Sequence, residues 1–274
     1  MDHQQLVDEQ YGTEPLVTRV EAALRSANPA ERSISWTDLV PLDQFHVGGL
    51  GASRDLAEAL GVEHGATLLD VGCGLGGPAR FLAATCGARV TGIDLSRSFV
   101  ETAQLLTQRC GMTGTVTIQQ ANALDLPFAD ASFDLAWTQH VAMNIADRPR
   151  LYAGLHRVLK PAGKLAIYDV IAGDGRPLIF PVPWARRPEL SFLLNANQMK
   201  ATLATAGFTE LTWIDKTEEG IVWFDQLRSK QSEGMPALGI HIVMGNEFGS
   251  MAANLGRNFQ EGRARIVQTI VQRS

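Results

Sequence analysis

The stretch LLDVGCGLGGPAR, Leu68 to Arg80, decides how this chain folds. The apolar run Thr67-Leu68-Leu69 reads as a buried strand, the glycines after Asp70 as a tight turn, and Gly77 onward as a helix. Glycine suits that turn. Without a Cβ it adopts positive φ and lets backbone N–H groups approach a ligand closely, while the helix N-terminus that follows favours a negatively charged group such as a carboxylate. About 20 residues beyond the loop, the next apolar run, VTGID, ends on Asp94, placed to accept both hydroxyls of a ribose.

Outward from this unit, short apolar runs alternate with helix-like stretches, the pattern of a parallel sheet covered by helices on both faces. Strands are predicted at Ala66 to Val71, Arg89 to Asp94, Val116 to Gln120, Phe133 to Thr138 and Lys164 to Val170. Helices are predicted at Gly77 to Thr85, Arg97 to Cys110 and Pro149 to Leu159, the last stopped by Pro161 and Gly163. The fold class is α/β, a doubly wound and mostly parallel sheet. Residues 1–60 have few strand-like runs, and helical spacing at Pro15 to Leu24 and Gly51 to Leu60 makes them a helical N-terminal cap on a main domain of residues 61–274. Residues 171–196, punctuated by glycine and proline and carrying Phe180, Trp184 and Phe192, read as a lid-like insertion over the site. Asn197 to Ala206 is expected as a helix and Glu210 to Lys216 as a strand. Gly239 to Met244 is expected as one further strand, and the tail from Gly245 to Gln272 as one or two helices.

With 274 residues, 45% hydrophobic and 19% charged, the chain can bury one well-packed core. A formal charge of -5 offers no electrostatic reason for a nucleic-acid partner. Cys73, Cys86 and Cys110 are odd in number and lack metal-ligand spacing, so no metal site is expected and free thiols in a reducing compartment are. The start MDHQQLVDEQYG is acidic and polar, unlike a signal peptide, and no apolar run approaches membrane-spanning length, so a cytoplasmic protein with no membrane partner is expected.

The bare pattern Gly72-x-Gly74-x-x-Gly77 fits a dinucleotide as well as S-adenosylmethionine. Asp70 favours the second, because its carboxylate pairs with the cationic amino group of a methionyl moiety and repels a pyrophosphate. The blocks LLDVGCGLGG (Leu68 to Gly77), VTGIDLS (Val90 to Ser96), ANALDLPFADASFDLAW (Ala121 to Trp137) and HRVLKPAGKLAIYDV (His156 to Val170) resemble the class I S-adenosylmethionine-dependent methyltransferases. The similarity is to the branch of sarcosine/dimethylglycine N-methyltransferases and ubiquinone-type C-methyltransferases, and DQFHVGG (Asp43 to Gly49) also looks like a segment of it.

That resemblance implies a seven-stranded Rossmann-like sheet with an antiparallel strand at one edge, assigned to part of Glu210 to Met244. It implies that Asp70, Gly72, Gly74 and Gly76 hold the methionyl end and Asp94 the ribose, that Leu95 packs on adenine, and that Asn122 and Ala123 flank the adenine edge. Many relatives have Asp where Asn122 stands, but its amide oxygen still accepts a hydrogen bond. Thr138, Gln139 and His140 would border the transferred methyl, and Tyr11 of the cap would fold over the cofactor.

A sulfonium already activates its methyl group, so the protein must chiefly align nucleophile, methyl and sulfur away from water. A hydroxyl or carbon acceptor gains from a general base, whereas an amine need only arrive unprotonated. The candidate bases are His46, His140 and Asp169, against structural roles for each: packing between Phe45 and Val47, a loop hydrogen bond, and a turn cap. An Arg of the insertion, among Arg176, Arg186 and Arg187, is a candidate partner for a substrate carboxylate. The expected function is methyl transfer to a small-molecule acceptor, an amine, quinol-like compound or natural product, by a monomer or homodimer. An NAD-dependent oxidoreductase and a protein that binds S-adenosylmethionine without transferring methyl are the alternatives. Nucleic-acid amine methylation is disfavoured because Thr138-Gln139-His140-Val141 replaces the Pro-Pro-aromatic motif of such enzymes.

Overall fold

In the computed structural model, which describes residues 15–28, 33–230, 237–245 and 247–274, Thr67–Val71 forms β1 at the middle of a seven-stranded sheet. It pairs in parallel with β2 (Arg89–Asp94) on one side and β4 (Phe133–Gln139) on the other. β3 (Val116–Gln120) lies outside β2 and β5 (Leu159–Ala172) beyond β4, both parallel. Both faces of β1 are covered, and its side chains alternate between two cores. Leu68 joins Leu56, Leu82 and Trp137 in one, while Leu69 and Val71 join Leu151, Leu155 and Ile167 in the other. Full burial of each such side chain is worth about 1.5–3 kcal/mol, so the strand is anchored on both faces.

Helices α4 (Gly77–Cys86) and α5 (Arg97–Arg109) cover the first face and α6 (Arg148–Val158) and α7 (Ala196–Thr205) the second. Their starts are written locally. The Ser96 hydroxyl accepts from the Phe99 N–H to open α5, and Asn195 with Gln198 forms a reciprocal capping box at α7.

The C-terminal part departs from expectation. Residues Ala264–Arg273 form strand β7, not helix, and β7 lies between β5 and β6 (Phe208–Asp215), antiparallel to both. The full order is β3-β2-β1-β4-β5-β7-β6, so the antiparallel strand is internal and is not drawn from Glu210 to Met244. Its apolar residues Ile266, Val267, Ile270 and Val271 fall at helix-like spacing, because a strand buried on both faces loses the two-residue alternation. The polar positions between them, Gln268 and Thr269, are buried too, and the Thr269 hydroxyl donates to the Thr212 carbonyl at 2.6 Å. The expected strand at Gly239 to Met244 is instead a short helix, α9 (His241–Met244), and α10 (Phe248–Gln260) follows it.

The helical region before β1 comprises α1 (Leu16–Ala27), the short α2 (Val40–Asp43) and α3 (Gly49–Leu60). Leu16, Val20 and Leu24 of α1 share a core with Phe99 and Leu106 of α5 and with Val243, Met244 and Met251 from the C-terminal helices. Arg19 Nη1 also donates to the Ile242 carbonyl at 2.8 Å. The roof over the carboxyl ends of the strands is therefore assembled from both ends of the chain.

Candidate active site

The sheet order reverses direction between β1 and β4, and a crevice opens there beyond the carboxyl ends of the strands, where ligands of doubly wound sheets bind. The loop after β1 is held tight by the N–H groups of Gly72 and Cys73, which both donate to the Ile93 carbonyl at 2.8 and 2.9 Å. Gly72 has φ 72°, and a Cβ there would lie 2.4 Å from Val141 Cγ2. A Gly72→Ala variant is therefore expected to lose about 1–2 kcal/mol from backbone conformation alone and to displace the turn carrying Val141, read as a lowered Tm. Asp94 is locked in place by the same loop: its Oδ2 accepts from the Gly74 N–H at 3.0 Å and its Oδ1 from the Ser96 N–H at 2.9 Å.

A cavity of about 630 Å³ fills the crevice. Its walls bring together Asp70, Gly72, Gly74, Asp94, Leu95, Asn122, Ala123, Gln139, His140 and His46 of the sequence-predicted set. Gly76 and Thr138 are not in the wall. Gly76, at φ 76°, instead turns the chain into α4. Tyr11 lies outside the described residues. Asp169 is buried beneath the wall, where its carboxylate accepts backbone N–H groups of Val141, Ala142 and Val170 with Arg148 nearby. Of the two roles read from sequence, its position matches the turn-holding one. Asn122 Oδ1 is already engaged by the Leu124 N–H at 2.9 Å, which leaves that oxygen one lone pair for a ligand.

Asp70 has the burial and charge of a group that a cation would complete. It is 2% exposed, its Oδ2 has no hydrogen-bond partner, and burial, reinforced by the charge of Asp94, pushes its pKa up to about 8. An orphaned buried carboxylate is costly until a cation meets it, and the ammonium of a methionyl group is such a cation. Asp94, projecting from the end of β2, fits ribose hydroxyls, so the donor set as a whole fits S-adenosylmethionine. Only ionised Asp70 pairs with the ammonium. Affinity for S-adenosylmethionine should accordingly rise as pH goes from 6.5 to 8.5, and binding near pH 7 should release a proton. Calorimetry in buffers of different ionisation enthalpy reads that proton, and an Asp70→Asn variant should lose both signals.

Two histidines face the other side of the cavity. His46 Nε2 lies 2.9 Å from the Gly49 carbonyl, an acceptor only, so Nε2 carries the proton and Nδ1 the lone pair. Ser53 Oγ, 3.1 Å from the same nitrogen, sits within reach of the carbonyl oxygens of Gln44 and Gln139 at 2.9 and 3.2 Å. Gln139 Oε1 also takes the Trp137 indole N–H at 3.0 Å. His140, at φ 53°, stacks on Tyr168 with ring centroids 5.5 Å apart, and its Nε2 finds no hydrogen-bond partner. The two imidazoles are 6.2 Å apart, edge to face. Burial lowers His46 to about 4, and burial with the nearby His46 takes His140 well below the usual histidine value, so both rings are neutral at pH 7.

Residues 69–167 match the model of the methyltransferase domain family. An O-methyltransferase of Aspergillus sclerotiorum, resE, is 35% identical over 183 residues, which span 66% of this chain and 69% of the fungal enzyme. The chain belongs to the S-adenosylmethionine-dependent methyltransferases. A dimethylglycine N-methyltransferase of Parasynechococcus marenigrum is 31% identical over 177 residues, 65% of this chain and 62% of that enzyme, in keeping with the branch whose motifs the chain resembles. The methyltransferase spans only about half the length of other curated relatives that it matches. In fold it is similar to the geranyl diphosphate C-methyltransferase of Streptomyces coelicolor A3(2), with a TM-score of 0.71 and 18% identity over 100% of this chain and 99% of the other. Membership of this family sets aside the NAD-dependent oxidoreductase that the glycine spacing alone permitted.

The methyltransferase completes its cavity with apolar and aromatic residues outside the glycine-loop motifs. Trp223 and Phe224 of α8 (Thr217–Lys230), Met244 of α9 and Phe248 and Leu255 of α10 line it, together with Trp184 and Phe192 from the segment after β5. Trp184 and Phe192 belong to the segment expected over the site, whereas Trp223, Phe224, Met244, Phe248 and Leu255 carry no sequence signal beyond apolar and aromatic character in segments far apart along the chain. The arginines proposed for a substrate carboxylate are not in the wall. Arg176 is paired with Asp174 at 2.7 Å, Arg186 with Glu247 at 2.9 Å and Arg187 with Glu189 at 4.0 Å. Surface carboxylates from their own neighbourhood have taken all three. No helix among the described residues is long and apolar enough to cross a membrane.

Proposed function

We propose that this methyltransferase methylates a hydroxyl oxygen of a small molecule, with His140 as the proton acceptor. The observation that carries this reading is a pair of neutral imidazoles, His46 and His140, facing one cavity just past the end of β4. When bound, S-adenosylmethionine supplies an electrophilic methyl on a sulfonium whose positive charge disappears as the methyl leaves. His140 takes the hydroxyl proton as the oxygen attacks, and the imidazolium so formed restores to the cavity the single positive charge it has lost. A desolvated histidine, which resists protonation in isolation, is therefore matched to this exchange. His46, its Nε2 hydrogen committed to Gly49, orients the acceptor through its free Nδ1. Asp169 holds the turn behind His140 by accepting the N–H groups of Val141 and Ala142. A similar enzyme named as an O-methyltransferase supports the choice of oxygen over nitrogen, for which no base is needed. A cytoplasmic location and a monomeric or dimeric state complete the reading.

Incubation with labelled S-adenosylmethionine and a pool of hydroxylated metabolites, read by mass spectrometry, should show a gain of one methyl on oxygen. Binding of S-adenosylmethionine with no methylated product would instead support a non-transferring role.

A further inference from the structure

We infer that the acceptor is a largely apolar molecule with a flat or ring-bearing body and no anionic group, and that the site rejects carboxylated or phosphorylated relatives of it. The inference rests on the methyl-transfer reading and adds the class of substrate. No Lys or Arg lines the cavity among the described residues. The cations behind the wall are committed elsewhere, Arg80 to Asp43 and Arg148 to the carbonyls of Ile145 and Phe192, and Arg176, Arg186 and Arg187 lie beside surface carboxylates. The charged side chains that do line the wall are the acids Asp43, Asp70, Asp94 and Asp147, with Asp43 already paired to Arg80, so a buried anion would find no cationic partner there.

What the acceptor does meet is aromatic. Trp184, Phe192, Trp223, Phe224 and Phe248 form the wall, with the polar edge of Trp184 already satisfied by Ser191 Oγ at 2.9 Å. Such faces gain most from flat apolar surface. The cavity's volume of about 630 Å³ has to hold the cofactor together with the acceptor, which keeps the acceptor a small molecule.

The test uses the full chain saturated with S-adenosylhomocysteine and two probes sharing one ring system, 2-naphthol and 6-hydroxy-2-naphthoate. Quenching of Trp184 and Trp223 reports binding independently of turnover. The neutral probe should bind at least about tenfold more tightly, since burying an unpaired carboxylate costs more than the 1.4 kcal/mol that tenfold represents. Leu190→Lys places an ammonium on a half-buried part of the wall and should narrow or reverse the preference. Equal or tighter binding of the carboxylate by the unmodified chain overturns the inference, as does the absence of quenching by 2-naphthol at millimolar concentration. Tight binding of 2-naphthol without methyl transfer from S-adenosylmethionine would count against the methyl-transfer reading and leave the acceptor class standing. Methylation confined to the carboxylated probe would do the opposite.

Discussion

A His140→Ala variant is expected to lose about 10²–10⁴-fold in kcat, the range that a positioned general base supplies, while its affinity for S-adenosylhomocysteine stays within about twofold. The second half of that expectation matters as much as the first. His140 adjoins Val141, which packs over Gly72, so a merely structural role would damage the cofactor loop and weaken binding of the product. Single-turnover rates and calorimetry separate the two effects. The pH profile provides a further check. A histidine whose pKa is lowered acts as a base above that lowered value. With cofactor saturating, the acid limb of kcat should therefore fall well below the ordinary histidine range near 6.5, and His46, lowered to about 4, should not introduce a limb there either. An acid limb centred near 6.5 would show that the base is a solvated group elsewhere. His46→Ala should raise KM for the acceptor more than it lowers kcat.

Replacing Arg80 by alanine is expected to cost about 3–5 kcal/mol, because it strands a charge inside the protein. Arg80 is fully buried, and its Nη2 donates to Asp43 Oδ2 at 2.7 Å and to the Leu75 carbonyl at 2.7 Å, while its Nη1 reaches Thr107 Oγ1 at 3.0 Å. One guanidinium thus ties α2, the glycine loop, α4 and α5 together. The backbone of Asp43 lies so close to Gly77 that a Cβ there would approach the Asp43 carbonyl to 2.5 Å. In a chain of this size the loss should lower Tm on the order of 10 °C. The control is an Asp43→Asn, Arg80→Met double variant, which removes both charges and should recover much of the loss. If the double variant were no better than the single one, the hydrogen bonds to Leu75 and Thr107 would carry the effect, and the ion pair would not. Because Asp43 lines the cavity, the Arg80→Ala variant should also bind cofactor more weakly at temperatures where it remains folded.

The expectations that held and those that failed differ in how local their physics is. The strand, loop and helix around Leu68 to Arg80, and the strand ending on Asp94, were legible because glycine φ, helix capping and a short apolar run depend on neighbours in the chain. The tail was misread for the complementary reason. Ile266, Val267, Ile270 and Val271 are spaced as in a helix, and only the presence of β5 on one side and β6 on the other makes Ala264–Arg273 a strand buried throughout. Gly239 to Met244 has strand-like residues but packs against α1 as a helical turn, a contact with a segment more than 200 residues earlier in the chain.

The same division runs through the site. Asp70, Gly72, Gly74 and Asp94 could be placed from sequence because they occupy one strand-turn-helix-strand unit whose geometry repeats wherever it occurs. His46 and His140 were recognisable as candidates, but neutrality is a product of burial, and burial is decided by which helices close over the cavity. The arginines of the insertion carried the right chemistry for binding a carboxylate, and the structure gives them to surface acids instead. Sequence alone therefore determined the α/β fold class and the glycine loop between β1 and α4, since both follow from short-range backbone preference. The protonation state of the histidines, the aromatic wall and the missing counter-charge for an anionic acceptor were decided by tertiary structure, because each depends on residues that meet only when both ends of the chain fold over the sheet.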